Sequence, residues 1–502
     1  MSAAPEGTAS AVRERLEVDV VVVGGGLDGL AAALHCAHVG LKVAVLEEAE
    51  SLGGPAALPL GDGADAFPLG LRDRPVNAER GLAEWLSQLQ EGPVFETSPE
   101  RLALARAGGR FTPVPRDAIL GIPGAPLDAP ARALLGARAA TRAFLERWIP
   151  VLTIGRASRL ESMVDRMGPG VLRSVVEPLL RDRYGVGAAE ADPAMVAPGL
   201  GTSLTNLGNL AGAVLAQLPA YERDEALHRP EGGIAALASA LVRELQRFDA
   251  LLLAGSTVDG IAVGGRESVI VATSDPDGAQ RSIRARGAAL AVPLPRLAEL
   301  AGLGLEGATV RALEPDAVER VVPLGIVASL RGPQWSAHSV AQRARRGTEA
   351  GRPVERAVLD AIVVPEALTG DVGGRWRVEL VPGAEGVALR ARGRETSPAG
   401  PLPDALPEAV LAVADRLGQR VAPPGGSGAF ASPWWREPAS PAQREARDEA
   451  VRVVEERLAA FAAGSASLVA LGPWRSSSEP GALMAGSIAA VSPLRSRLIG
   501  TR

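Results

Sequence analysis

The order of strand, glycine-rich turn, helix, strand and acidic residue near the start of the chain limits its fold most strongly. Residues 18–54 read VDVVVVGGGLDGLAAALHCAHVGLKVAVLEEAESLGG. An apolar, β-branched segment over Val18–Val23 runs into the glycines, a helical stretch follows, and a second strand over Val43–Leu46 ends on Glu47. This order is that of a dinucleotide-binding βαβ unit.

Each part of this unit has a physical role. Gly24 permits the tight turn, Gly26 lets the backbone approach a pyrophosphate, and Gly29 lets the helix pack closely against the strand. The N–H groups at the start of the helix then bind the pyrophosphate. Glu47 follows Gly29 by 18 residues, where a carboxylate accepts hydrogen bonds from both ribose hydroxyls of an adenosine. Because that carboxylate repels a 2′-phosphate, the pattern favours NAD or FAD over NADP.

The continuation of the unit favours FAD. A Gly53–Gly54 pair follows the acid, and in this the chain resembles flavoproteins of the glutathione-reductase and amine-oxidase type. Further motifs resemble the amine-oxidase superfamily, above all the protoporphyrinogen and coproporphyrinogen oxidases. They are Glu177-Pro178, Tyr184-Gly185, Asp192-Pro193, a Pro-x-Gly-Gly helix start at 230–233, Ala291-Val292-Pro293 and the closing stretch ASLVALGPWRSSSEPGALMAGSIAA.

The resemblance implies an α/β fold with an N-terminal Rossmann-like FAD-binding domain of the glutathione-reductase type and an inserted α+β substrate domain. Residues 1–90, 228–298 and 425–502 are expected to form the discontinuous FAD-binding domain. Residues 91–227 are expected to form a mainly helical domain of the substrate- or membrane-binding type, and residues 299–424 a substrate-domain sheet. The cofactor implied is FAD.

The βαβ unit and the resemblance together define the expected cofactor-binding residues. They are Gly24, Gly25, Gly26, Leu27, Asp28, Gly29, Glu47, Glu48, Gly53, Gly54, Val258, Gly472 and Pro473. The backbone of Val258 is implied to meet the adenine. Three positions depart from the superfamily pattern, since Pro55, Pro68 and Pro473 stand where relatives carry polar residues. Proline offers no side-chain hydrogen bond and no N–H, so the flavin half of the site has lost polar contacts.

The same resemblance limits the substrate. Amine oxidases use a lysine near the flavin, whereas the single lysine, Lys42, lies at the start of the second Rossmann strand. We therefore expect dehydrogenation of a hydrophobic or macrocyclic substrate, as in porphyrinogen oxidases, with an isoprenoid as another candidate. The catalytic residues are unknown. The alternative is a catalytically degenerate homologue that acts as a binding partner or scaffold.

Composition limits which other classes of function are expected. The 502 residues are 47% hydrophobic and carry a net charge of −5, which gives no indication of nucleic-acid binding. The lone Cys36 excludes an internal disulfide, and His35 and His38 lack further ligands, so no metal site is expected. No apolar run reaches the roughly 20 residues of a membrane span. We expect a cytoplasmic protein, with peripheral membrane contact, a protein partner and the oligomeric state left open. The excess of arginine over lysine indicates coding bias.

Overall fold

The computed structural model describes most of the chain. The described residues are 14–54, 71–72, 85–86, 89–90, 92–151, 159–224, 226–230, 233–264, 268–327, 359–369, 374–382, 387–395, 406–418, 430–462 and 467–500. The strands are β1 Glu14–Val23, β2 Val43–Leu46, β3 Leu71–Arg72, β4 Phe95–Pro99, β5 Leu102–Arg106, β6 Arg110–Pro113, β7 Ala118–Ile119, β8 Ile122–Pro123, β9 Ala226–Pro230, β10 Leu251–Leu253, β11 Thr257–Gly264, β12 Ser268–Ser274, β13 Gln280–Leu290, β14 Ala317–Val327, β15 Ala361–Val364, β16 Arg375–Pro382, β17 Val387–Glu395, β18 Phe430–Trp434 and β19 Ser467–Ala470.

The helices fall into three groups along the chain. The first group is a single α-helix, Leu27–Ala37. The second comprises Ala129–Leu135, Ala137–Phe144, Leu160–Val164, Pro169–Val171, Glu177–Tyr184, Pro193–Val196, Leu200–Leu207 and Leu210–Asp224. The third comprises Gly233–Arg247, Leu294–Leu300, Gly307–Ala312, Glu366–Thr369, Glu408–Leu417, Pro441–Phe461 and Pro480–Gly500. The described residues also form short 3₁₀ turns at Ala107–Gly109, Leu145–Trp148, Asp165–Met167 and Pro473–Arg475, and a π turn at Leu172–Val176.

The first sheet has the strand order β10-β2-β1-β13-β12-β11, and β19 also pairs with β13. Strands β10, β2, β1, β13 and β19 are parallel, whereas β11 and β12 form an antiparallel hairpin. The long strand β13 joins both parts, because its first half pairs with β12 and its second half with β19. The predicted strand Val43–Leu46 and the predicted hairpin around residues 258–273 are confirmed.

Helices cover both faces of the first sheet. On one face, Leu27–Ala37 packs with Gly233–Arg247 and Pro480–Gly500 in one hydrophobic cluster. On the other face, Leu294–Leu300 and Pro441–Phe461 pack against the sheet. Burial on both faces explains the continuous apolar run of β1, since a parallel strand with two covered faces has no solvent side. This arrangement confirms the predicted α/β class and the Rossmann-like domain.

The second sheet has the order β18-β14-β17-β16-β15-β5-β6. It draws strands from three expected domain segments, since β5 and β6 come from 91–227, β14–β17 from 299–424, and β18 from 425–502. One face carries the apolar side chains of β15, β16 and β17 and packs against helix Glu408–Leu417. Two smaller sheets pair β3, β9 and β4, and β7 with β8.

The helical region over residues 129–224 differs from the expected helices at two glycines. A helix predicted over Pro130–Trp148 is divided at Gly136, and one predicted over Leu204–Leu218 is divided at Gly208. Gly136 has φ 79° and Gly208 has φ 74°, and glycine adopts such left-handed conformations at low cost. Within the described residues, no helix combines the length and apolar character that crossing a bilayer requires.

Candidate functional site

The parallel strands of the first sheet end in register. Pairing joins Val23 to both Leu46 and Leu290, and Leu290 also pairs with Ala470. The residues that follow continue this alignment, since the Gly24 amide donates to Leu46 O over 2.8 Å and the Leu471 amide to Leu290 O over 2.8 Å. Loops at the carboxyl ends of parallel strands form the ligand-binding edge of such sheets. The glycine turn, the acid after β2 and the closing loop after β19 therefore share one edge.

At two positions of the turn, only glycine avoids a steric clash. A Cβ on Gly24 would lie 2.0 Å from the carbonyl oxygen of Ala291, and Gly24 has φ +103°. A Cβ on Gly29 would lie 1.9 Å from the carbonyl oxygen of Gly24. Helix Leu27–Ala37 therefore begins in close contact with the backbone of the turn. Its first N–H groups face the edge where a pyrophosphate is expected.

Glu47 lies directly beside this turn. Its Oε2 accepts a 2.6 Å hydrogen bond from the Gly25 amide, and its Oε1 accepts one of 2.9 Å from the Ala49 amide. An ionised carboxylate has about four acceptor sites, so each oxygen can accept a further hydrogen bond from a ribose hydroxyl. Glu48, which was also expected to bind the cofactor, is exposed beside it.

The segment with Gly53 and Gly54 folds back onto the glycine turn. The Gly53 amide donates a 2.7 Å hydrogen bond to Gly25 O, and a Cβ on Gly54 would lie 3.3 Å from the Gly26 Cα. Gly53 has φ 115° and Gly54 has φ 57°. The pair thus adds a second layer of backbone without side chains beside the expected pyrophosphate position. Pro55 and Pro68, two of the three departures from the superfamily pattern, lie outside the described residues.

Asp28 places a carboxyl group at the start of the helix. The side chain is buried, and a Cβ on Gly26 would lie 2.8 Å from its Oδ1. Burial raises the pKa of Asp28 to about 6, while hydrogen bonds from the Gly29 and Asp28 amides oppose the shift and the Glu47 carboxylate adds to it. The carboxyl therefore occupies N–H donors that a pyrophosphate at the expected position would also use. The adjacent Leu27 is buried in the core beneath the helix.

Val258 lies near the adenosine end of this edge. The amide of Ser256, two residues earlier, donates a 2.8 Å hydrogen bond to Glu47 O. The Val258 carbonyl already accepts a 2.6 Å hydrogen bond from Arg296 Nη2. A backbone contact between Val258 and an adenine stays a prediction, and only the second lone pair of that carbonyl is available for it.

The closing loop follows β19 with Gly472 and Pro473. Gly472 is buried with φ 140°, and a Cβ there would lie 2.6 Å from the indole Nε1 of Trp474. Trp474 is buried, and its Nε1 and the hydroxyl of Ser476 are buried without a hydrogen-bond partner. Buried polar atoms without partners are rare, so these two donors are candidates for contact with a polar ligand group. The loop therefore fits the polar part of a bound dinucleotide, although Pro473 itself offers no polar side chain.

Comparison with known proteins agrees with this geometry. Residues 19–107 match the family model of an FAD binding domain. The chain therefore carries an FAD-binding domain. The flavoprotein superimposes on the structure of a proposed protoporphyrinogen oxidase from Exiguobacterium with a TM-score of 0.64, at 16% identity over 97% of this chain and 99% of the other. For a triple mutant of putrescine oxidase the TM-score is 0.53, at 14% identity over 97% and 100% of the two chains. At such identities the likeness establishes the fold alone.

Matches to curated relatives are partial. The flavoprotein is 33% identical to an aerobic glycerol-3-phosphate dehydrogenase of Staphylococcus epidermidis over 19% of its length and 14% of the relative. It is 48% identical to hydroxyneurosporene desaturase of Rhodobacter capsulatus over 12% and 13% of the two chains. An uncharacterised protein of Mycobacterium tuberculosis matches at 28% identity over 61% and 58%. The flavoprotein thus spans less than two thirds of the length of these relatives.

A group of arginines next to the closing loop is not predicted from the sequence. Arg375, Arg394 and Arg436 lie close together near Glu479, and coding bias does not account for the burial of Arg375 and Arg394. The signal was present as arginine at alternate positions in RWRVEL and LRARGRE. Such alternation predicts a polar strand face, which is usually solvent-exposed.

Proposed function

We propose that the flavoprotein dehydrogenates a hydrophobic or macrocyclic substrate in the manner of a porphyrinogen oxidase. The observation that supports this most is the alignment of strand ends β2, β1, β13 and β19, which brings Glu47, the glycine turn and the closing loop to one edge. FAD, when bound there, supplies the acceptor for two electrons from a carbon of the substrate.

The chain's own residues would bind and orient the cofactor. Glu47 would accept the ribose hydroxyls, and the amides at the start of helix Leu27–Ala37 would donate to the pyrophosphate. The glycines of the turn, together with Gly53 and Gly54, would let the pyrophosphate approach the backbone closely. Trp474 and Ser476 each present a buried donor without a partner, which suits a polar group of the cofactor.

The chemistry proposed needs few protein groups. The substrate loses one hydride and one proton, a new double bond forms in it, and an external acceptor such as dioxygen finally takes the two electrons. Lys42 is exposed at the start of β2, and the cofactor edge lies at the other end of that strand. Lys42 is therefore too far from the cofactor edge to assist an amine oxidation there.

A visible absorption spectrum of the purified protein tests the proposal, followed by identification of the cofactor released on denaturation. We expect stoichiometric oxidised FAD that bleaches anaerobically with a porphyrinogen or a polyene. Colourless protein that takes up no added FAD would overturn the proposal in favour of a non-catalytic binding protein. FAD that no carbon substrate bleaches would refute the proposed reaction while leaving the cofactor intact.

A further inference from the structure

The closing loop over residues 472–479 lies on the far side of the cofactor edge from Glu47. It follows β19, and β19 pairs with β13, β13 with β1, and β1 with β2. Neighbouring strands are about 4.8 Å apart, so the loop begins about 10 Å from the glycine turn and about 14 Å from the acid. With an adenosine at Glu47 and a pyrophosphate at the turn, the loop would face the flavin half of FAD.

Two side chains of this loop hold donors that no group among the described residues accepts. Trp474 Nε1 and Ser476 Oγ are both buried without a hydrogen-bond partner. A Cβ on Gly486 of helix Pro480–Gly500 would lie 2.9 Å from Ser476 Oγ, so the glycine leaves room for this hydroxyl. Such donors can serve a ligand only while the loop keeps its shape, because the backbone sets the direction of each side chain.

A guanidinium group from helix Pro441–Phe461 holds the backbone of the loop. Arg447 Nη1 donates a hydrogen bond of 2.7 Å to Ser476 O and one of 2.6 Å to Arg436 O. Its Nη2 lies 3.2 Å from Asp316 Oδ2, and the same oxygen accepts a 2.8 Å hydrogen bond from the Arg436 amide. The Arg447 side chain is 11% exposed. Because a guanidinium is planar and its donors have fixed directions, the three acceptors are held in one arrangement.

The segment that Arg447 ties to the loop belongs to the second sheet. Trp435 follows β18 directly, and it exchanges two hydrogen bonds with the loop. The Ser478 amide donates to Trp435 O over 2.9 Å, and the Trp435 amide donates to Ser478 Oγ over 3.0 Å. The loop is therefore held along one side by the chain that leaves β18, and Arg447 lies at the end of this contact.

The same helix makes a second, weaker contact with the loop. Arg475 Nη2 lies 2.6 Å from Glu455 Oε1, but the Glu455 side chain is 47% exposed. Exposed ion pairs contribute little because water screens them and two long side chains must be ordered. Arg447 is therefore the main restraint that this helix places on the loop.

We propose that Arg447 is a positioning residue for FAD, whose guanidinium holds the closing loop so that Trp474 and Ser476 present their unbonded donors to the flavin half of the cofactor. The inference rests on the proposed function, because it takes the cofactor to lie along this edge. Arg447 acts through the loop, since both hydrogens of its Nη1 go to protein carbonyls. Without it, Ser476 O and Arg436 O have no common donor, and the two side-chain donors lose their fixed directions.

Titrations of the full-length protein with FAD and with ADP, after removal of bound flavin, test the proposal without requiring turnover. ADP contains the adenosine and the pyrophosphate but lacks the ribityl chain and the flavin ring, so it engages Glu47 and the glycine turn without the closing loop. We expect Arg447→Gln to weaken FAD binding by at least about tenfold, as for the loss of hydrogen bonds from a charged donor, while the Kd for ADP changes by less than about twofold.

The conservative variant separates positioning from a general loss of stability. Arg447→Lys keeps the charge and can still donate to part of the acceptor set, so it should restore part of the FAD affinity. If Arg447→Gln does not fold, Arg447→Lys and Asp316→Asn carry the same comparison. The Asp316 side chain is 35% exposed, and its replacement leaves the two carbonyl contacts of Arg447 in place, so a smaller loss specific to FAD is expected.

Two further variants serve as references. Arg444 is exposed on the same helix, one turn before Arg447, and Arg444→Gln should leave the Kd of both ligands unchanged. Glu47→Ala should weaken the binding of FAD and ADP together, because both ligands carry the adenosine ribose.

The possible failures are distinguishable. Equal FAD affinity in wild type and both Arg447 variants, or equal losses for FAD and ADP, would overturn the inference and leave the proposed function in place. Wild type that binds FAD but not ADP would show that the edge is not divided into an adenosine half and a flavin half, and the inference would fall with that division. Wild type that binds no FAD would refute the proposed function itself, and the role of Arg447 with it.

Discussion

The Gly25 amide donates a hydrogen bond of 2.6 Å to Glu47 Oε2, which fixes the acid after β2 against the glycine turn after β1. The contact joins two residues 22 positions apart, and it depends on the register in which Val23 faces Leu46. The carboxylate is thus held by the same turn whose N–H groups are expected to bind the pyrophosphate. In the proposed site, adenosine and pyrophosphate recognition would therefore be coupled through the Glu47 side chain.

Glu47→Ala should weaken FAD binding by about 10- to 100-fold. The change removes the acceptor for the ribose hydroxyls and leaves the Gly25 amide without its partner, and hydrogen bonds to a charged group contribute roughly 1.5–3 kcal/mol. Flavin retention after gel filtration and the Kd from fluorescence quenching of added FAD would measure the effect. Asp415→Ala, at an exposed position of helix Glu408–Leu417, is the control. Equal flavin retention by both variants would contradict the placement of the adenosine.

Gly29→Ala should disrupt the domain, whereas Gly201→Ala should not. The new Cβ of Gly29→Ala would lie 1.9 Å from Gly24 O, so the helix or the turn must move. We expect a loss of several kcal/mol, at the upper end of the roughly 1–3 kcal/mol typical of overpacking, and loss of bound flavin. Gly201 lies within helix Leu200–Leu207 with open space around its Cβ position, so alanine there should stabilise by up to about 1 kcal/mol. Urea unfolding followed by circular dichroism measures both, and equal midpoints would refute the close packing.

The sequence predicts the packing of the glycine turn against the acid well, because this packing depends on local rules. Glycine at positions 24 and 29 and an acid at 47 follow from the spacing of a βαβ unit, and the structure brings all three together. The bounds of β2 are predicted correctly because its apolar run is short and ends at a charge. Local patterns decide these features, so a single sequence suffices.

Other features depend on tertiary packing and escape such rules. The alternating arginines of β16 and β17 predict one polar face, but only packing against Asp182 and Glu479 buries it. The breaks at Gly136 and Gly208 also depend on context, since an isolated glycine within an apolar helical pattern is tolerated in other helices. The group of arginines beside the closing loop therefore appears only in the structure.

Asp28→Asn should change the pH dependence of stability. The pKa of Asp28 rises from 3.8 to about 6 on folding, so the folded state holds its proton more tightly than the unfolded state. The free energy of unfolding contributed by Asp28 therefore falls as pH rises between these values, by up to about 3 kcal/mol, and stays low above them. Asparagine removes this penalty, so the thermal midpoint of the flavin-free variant should exceed that of wild type near pH 8 and approach it near pH 4. A pH-independent difference would refute this role.

The same substitution should tighten FAD binding at neutral pH. An ionised Asp28 repels the pyrophosphate and competes for the amides at the helix start, whereas asparagine keeps an acceptor without the charge. In wild type, FAD affinity should fall as pH rises through about 6, and in Asp28→Asn it should stay flat there. FAD titrations across this range measure both proteins. Parallel pH profiles would contradict the position of Asp28 beside the pyrophosphate.

Glu146→Gln should destabilise the helical region over residues 129–224. Glu146 is fully buried, and its Oε1 lies 2.7 Å from Arg166 Nη2 while its Oε2 accepts a 2.9 Å hydrogen bond from the Leu210 amide. Removing the charge leaves the buried Arg166 without a counterion, which costs about 3–5 kcal/mol in comparable pairs. Glu161→Gln, at an exposed position of helix Leu160–Val164, is the control and should shift stability by less than about 0.5 kcal/mol.

Because the Glu146–Arg166 pair lies outside the first sheet, Glu146→Gln should lower the urea midpoint of the helical region while FAD still binds the folded cofactor edge. Loss of flavin in parallel with unfolding of the helices would show that the two regions unfold as one cooperative unit.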